Sequence, residues 1–280
     1  MAIDYEHLMS LRTRGERVQY GDRDTLLYAL GVGLGRDPDA RHEIPYLTDP
    51  AGLRTLPSFA STLVGNRLLD DCGWNAAQVV LRDESVSLER PIGDADTLLL
   101  DSDVVSVFDK GASGGALLTV ETRARRERAG QPMFTVRRSW LARGDGGFGG
   151  PQGRADAGSA AAHALPPRPP DMTRTCPTRP DQALLFGLSL ERGAARLKAP
   201  TPLLAGHCLQ GIACLAILAE ICEYDHTLIR SLSVGFVAPA SPGETLLAEL
   251  WQDANIVSCR LRVLERDALV LDQGRCVLVA

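Results

Sequence analysis

His207 and Cys208 stand side by side at the entrance of a long apolar stretch, Pro202 to Cys222 (PLLAGHCLQGIACLAILAEIC). An imidazole at a helix start, held neutral by the helix dipole, can serve as a general base. The same position also suits a histidine hydrogen-bonded within the helix start or facing a neighbouring strand. A Cys–His pair can be nucleophilic, but adjacent helical residues point about 100° apart and do not face each other. Glu191 is a second acid–base candidate if burial raises its carboxyl; solvated, it would pair with Arg192 or Arg196. The Arg196 guanidinium suits phosphates or a substrate carboxylate, or it is a surface charge in an arginine-rich chain. RARRER at 123–128 reads as the solvated face of a strand. GVGLG at 31–35 follows no strand and ends a helix, so it is no phosphate loop.

These residues need elements to hold them. Pro202–Cys222 is long and apolar enough for a helix buried on most sides. Strand-like runs follow at Leu228–Ala238, Thr245–Leu250, Ile256–Leu264 and Ala268–Val279, with turns at Ser241–Gly243 and Glu265–Asp267. The N-terminal part repeats the plan. Pro57–Leu69 is a shorter helical candidate, followed by strands at Gln78–Arg90, Thr97–Phe108, Ala116–Arg126 and Met133–Ala142. Gly144–Pro170 is packed with Gly, Ala and Pro and reads as an extended linker. The expected organisation is residues 1–145, a linker at 146–172, and a second unit at 173–280. The fold class is α+β, a double hot-dog of two antiparallel sheets each wrapping a central helix.

Composition narrows the function classes. The 280 residues carry a net charge of −5 and are 45% hydrophobic, which fits a globular chain and not a dedicated nucleic-acid binder. No apolar run reaches the length of a membrane span. Seven cysteines, with no CxxC pair, and no visible signal peptide point to a reduced, cytoplasmic protein.

Several stretches carry a resemblance: YGDRDTLLYALGVGLG (20–35), TLPSFASTL (55–63), FDKGASGGAL (108–117), RGDGGFGG (143–150), RPDQALLFGLS (179–189) and PLLAGHCLQG (202–211). On these the chain resembles the (R)-specific enoyl-CoA hydratases, the hydratase 2 group of the MaoC-like dehydratase family. The resemblance implies two hot-dog repeats, a homodimer, an acyl chain housed in the N-terminal repeat and chemistry in the C-terminal one. It implies reversible water addition to a trans-2-enoyl thioester on CoA or an acyl carrier, with no cofactor or metal. An Asp and a His of a D-x-N-P-L-H loop activate the water. The N–H of a Gly opening the central helix receives the enolate charge.

The loop departs from that pattern. Glu191 stands at the Asp position, Gly193 at the Asn and Arg196 at the His, and the stretch from Glu191 to Pro202 is about eight residues short. The family's His-Gly is Ala205-Gly206. Losing a positioned acid or base costs about 10²- to 10⁴-fold each. The expected site is therefore Glu191 and His207 as acid–base groups, Gly206 as the carbonyl donor, and Arg196 and Cys208 in substrate contact. The expected function is a divergent hydratase/dehydratase. The alternatives are a non-catalytic thioester-binding or partner subunit, and other hot-dog chemistry such as thioester hydrolysis, isomerisation or cyclisation.

Overall fold

A computed structural model describes residues 4–37, 39–49, 52–152, 163–189 and 203–279. Helix α1 (Tyr5–Ser10) and strand β1 (Arg12–Tyr20) lead into α2 (Asp22–Val32) and a short α3 (Ile44–Leu47). Strands β2 (Val79–Leu88), β3 (Asp96–Asp109), β4 (Ala116–Arg126) and β5 (Pro132–Ala142) complete the N-terminal half. The C-terminal half runs β6 (Met172–Pro177), α4 (Gln182–Leu188), α5 (Gly206–Glu220), β7 (Ile229–Phe236), β8 (Thr245–Asp253), β9 (Ile256–Val263) and β10 (Ala268–Leu278).

All pairings are antiparallel, in the order β1-β3-β4-β5-β2-β7-β10-β9-β8-β6. The five strands of each half meet at the β2–β7 seam, where Asp83 pairs with Gly235 and Ser87 with Ser231. The two expected hot-dog sheets are thus continuous edge to edge. The seam satisfies two strand edges that would otherwise offer unpaired backbone groups.

Helix α5 fills the C-terminal half. Every residue from His207 to Leu218 is buried, as an all-round apolar helix requires. Gly211 lets it press on α2: a Cβ there would stand 2.4 Å from Val32 Cγ1 and 2.7 Å from the Tyr28 hydroxyl. The matching element of the N-terminal half differs from expectation. Residues 57–69 form no α-helix but a 3₁₀ segment at Pro57–Leu63 and a 3₁₀ turn at Arg67–Leu69. Hydroxyl side chains compete for backbone partners here, as Thr62 Oγ1 does by donating to the Phe59 carbonyl at 2.8 Å, and Gly65-Asn66 breaks the run.

Asp109 ties two of the quoted stretches together. Its carboxylate accepts from the Gly111, Gly147 and Gly149 amides, each at 2.8 Å. The described ends of the Gly/Ala/Pro-rich segment are pinned rather than loose: His163 Nε2 lies 2.7 Å from Ser258 Oγ, and Trp251 Nε1 donates to the Arg168 carbonyl at 2.8 Å. No helix among the described residues is long and apolar enough to cross a membrane.

Candidate active site

The start of α5 sets the geometry. Ala205 caps the helix in an extended conformation (φ −64°, ψ 150°) without a side-chain capping bond. The first amides of any helix have no intrahelical acceptor, and the dipole makes them favour negative charge. Gly206 is the first helical residue, and the Phe236 ring lies 3.1–3.3 Å from where its Cβ would stand. The glycine therefore lets strand β7 close tightly over the helix start.

His207 turns inward from that start. Its Nδ1 lies 2.7 Å from Glu84 Oε2, with the two side chains 7% and 0% exposed. Glu84 belongs to β2 in the other half of the chain. It stands directly across β2–β5 from Arg138, whose Nε donates to Glu84 Oε2 at 3.1 Å. Arg138 also donates to the Val64 carbonyl and to Asn66 Oδ1, both at 2.9 Å, and to the Ser61 carbonyl. The Ser61 hydroxyl touches Glu84 Oε1 and lies 2.7 Å from Gln210 Oε1. One hydroxyl has one proton. With that proton on Glu84, Gln210 meets Ser61 through its amide nitrogen, which also employs an otherwise unpartnered buried donor.

Gln210 is three residues from His207 on α5, so both face the same way. They bring polar atoms to the first turn of an otherwise apolar helix. Burial pushes the Glu84 carboxyl up, but the Arg138 charge, then His207 and the Ser61 hydroxyl, outweigh it and hold the group at about 2. Glu84 is thus ionised in the folded interior, and it is a carboxylate beside an imidazole.

A surface cleft enclosing about 380 Å³, part of it open solvent, lies in the N-terminal half; apolar Leu68, Val120 and Trp140 share its wall with polar Glu16, Arg67 and Thr122. Arg138 also lines it, and the same side chain reaches Glu84, which contacts His207.

The expected residues fall in different places. Gly206 and His207 are adjacent at the head of α5. Glu191 and Arg196, with the rest of the departing loop, lie outside the described residues. Cys208 is wholly buried, with its Sγ donating to the Gly31 carbonyl at 3.7 Å, and burial pushes its thiol up to about 12. It packs α5 against α2. Among the described residues no cluster of three His, Cys, Asp or Glu side chains could hold a metal.

Sequence reasoning missed Glu84, Arg138, Ser61 and Gln210. Arg138 carried a readable signal, since it alternates with Val136 and Trp140 at inward positions of one strand.

Comparison with known proteins agrees over the whole length. Residues 18–144 match the family model of the MFE-2 hydratase 2 N-terminal domain. The chain is 31% identical to 3-hydroxyacyl-thioester dehydratase Y of Mycobacterium tuberculosis, covering 100% of each. It is 30% identical to the peroxisomal enoyl-CoA hydratase 2 of Arabidopsis thaliana, covering 91% of this chain and 89% of that one. A crystal structure of a MaoC-like dehydratase from Phytophthora capsici superposes with a TM-score of 0.84 at 24% identity, covering 99% and 98% of the two chains. Identity of 30% or more to such relatives, over nearly the whole of each chain, decides the matter: the chain belongs to the hydratase 2 group of the MaoC-like dehydratase family.

Proposed function

We propose that this protein adds water reversibly to a trans-2-enoyl thioester, giving the 3-hydroxyacyl thioester, with the reaction centred on the head of α5. The observation that carries the reading is the adjacency of the Gly206 amide and the His207 imidazole there. Relatives bearing the names enoyl-CoA hydratase and 3-hydroxyacyl-thioester dehydratase support the substrate class.

In the hydration direction the thioester oxygen rests on the Gly206 N–H. The imidazole takes a proton from water as the hydroxyl oxygen bonds to C3. The C2–C3 π electrons move onto the carbonyl oxygen, where the amide and the helix dipole stabilise the enolate. Protonation at C2 completes the addition. Glu191 is the acid candidate on the departing loop, and Arg196 on the same loop is the candidate for the carrier's phosphates. The N-terminal half is the candidate housing for the acyl chain, on the strength of the resemblance. A cytoplasmic setting and a homodimer belong to the same proposal.

The test is incubation of purified protein with crotonyl-CoA and longer enoyl-CoAs, in both directions, with chiral analysis of the product. An (R)-3-hydroxyacyl product supports the reading. No turnover at any chain length refutes it, and acyl-CoA binding by calorimetry would then favour a non-catalytic capture role.

A further inference from the structure

The Glu84–His207 contact joins the two halves of the chain at the reaction centre, and the role of Glu84 follows from four observations. Glu84 lies on β2 and His207 on α5, more than a hundred residues apart in sequence, yet Nδ1 and Oε2 are 2.7 Å apart. Glu84 already has a full-charge partner in Arg138 and a hydroxyl donor in Ser61, so charge neutrality does not require the histidine. The histidine opens a helix whose following turns bury apolar side chains, and it adjoins the Gly206 amide. Finally, the rigidity of the carboxylate is itself built: Arg138 is anchored by the Ser61 and Val64 carbonyls and Asn66.

We propose that Glu84 is the positioning residue of His207. The N-terminal half supplies a carboxylate that fixes the proton on Nδ1 of the imidazole and so presents Nε2, with its lone pair, to the reacting water. This rests on the function proposed above. A carboxylate held on one ring nitrogen decides the tautomer and leaves the other nitrogen as the base. The reaction centre is then a joint product of both hot-dog halves: the amide and imidazole come from one, and the group that orients the imidazole from the other. The base takes the water proton at Nε2 and the proton on Nδ1 stays there, shared with Glu84. The resulting imidazolium is stabilised by the adjacent charge and returns its Nε2 proton to substrate or solvent.

Two measurements test this on the full chain. The first is ¹⁵N NMR of the histidine side chains, with the His207 signals assigned by their loss in His207→Asn. The expected result is an Nδ1–H tautomer in the wild type that becomes mixed in Glu84→Gln. An Nε2–H tautomer in the wild type would overturn the proposal without any activity being measured.

The second is steady-state kinetics on an enoyl-CoA. Glu84→Gln should lower kcat by about 10²-fold or more with KM unchanged, and Glu84→Asp should recover part of the loss. If Glu84→Gln alone does not fold, Glu84→Gln with Arg138→Gln removes both buried charges and carries the same readout. Wild-type kcat in a Glu84→Gln protein whose His207→Asn counterpart is inactive overturns the role of Glu84 and leaves the hydratase reading standing. No turnover by the wild type overturns the hydratase reading, and the role of Glu84 falls with it.

Discussion

Replacing Arg138 by Met tests the buried ion pair most severely. Methionine has the reach of the arginine stem and none of its five donors. The wild-type Nε···Oε2 separation is 3.1 Å, worth about 5 kcal/mol at an effective dielectric of about 20. The substitution also strips a donor from the buried Val64 and Ser61 carbonyls, each costing about 1 kcal/mol when left unmatched, and from Asn66, which is exposed and can turn to water. Two effects limit the loss. His207 still stands against Glu84, and the stranded carboxylate can take up a proton instead of remaining charged. Breaking one side of a buried pair costs about 3–5 kcal/mol in general, and about 4 kcal/mol is expected here. Urea unfolding should then show a midpoint lowered by about 1.5 M with the slope unchanged. Adding Glu84→Gln to Arg138→Met should return part of that stability, because the uncompensated charge is gone. A loss below about 1 kcal/mol, or a double variant no better than the single one, would refute the claim that this pair is a desolvated, mutually dependent unit.

The same carboxylate sets an acid limit. The folded Glu84 is held near 2, below the ordinary 4.5, so its contribution is complete above about pH 4.5 and is lost as pH falls towards 2. That contribution is about 3 kcal/mol, and Glu84→Gln should flatten this part of a stability–pH curve measured by urea midpoints. Gly206→Pro removes the amide at the first helical position, where proline is tolerated, and the extended Ala205 already suits a following proline. It should lower kcat by about 10²- to 10³-fold, while Gly206→Ala, which meets Phe236 similarly but keeps the N–H, should retain most of it; equal losses would remove the amide from the mechanism. Gly211→Ala drives a methyl into Val32 and the Tyr28 hydroxyl and should cost about 1–3 kcal/mol by thermal unfolding; an unchanged midpoint would contradict the close α2–α5 approach. Of the seven thiols, six are buried and Cys176 is half-buried. A disulfide thiol reagent should therefore label at most that one quickly in the native protein, and rapid labelling of Cys208 would contradict its packing role.

How much of this was legible in the sequence follows from the patterns of particular elements. The expected runs at 97–108, 116–126 and 256–264 match β3, β4 and β9 closely, because apolar residues alternate there and turns bound them. Strand β1 (RTRGERVQY) escaped notice. It is an edge strand whose charged residues obscure the period of two, and only Tyr20 is fully buried. The 57–69 segment has the apolar content of a helix but not the backbone freedom, for the reasons its hydroxyls and Gly65 supply. His207 was legible as a candidate, from its type and its place at the helix head, but its partner was not. In β2, counting by twos from Val79 and Leu81 sends Glu84 outward. A register shift between Leu81 and Asp83 switches the face, so that Glu84, Val86 and Leu88 point into the core. A bulge leaves no mark in residue type, so pattern alone places this carboxylate in solvent. Glu191 and Arg196 rest on the resemblance alone.

A crystal structure with an enoyl-CoA or its unreactive analogue bound tests the reaction centre at the head of α5 most directly. The thioester oxygen should lie within about 3 Å of the Gly206 amide, with C3 one water away from His207 Nε2 and Nδ1 still on Glu84. A thioester bound away from the head of α5, or an imidazole turned from both water and Glu84, would contradict this arrangement.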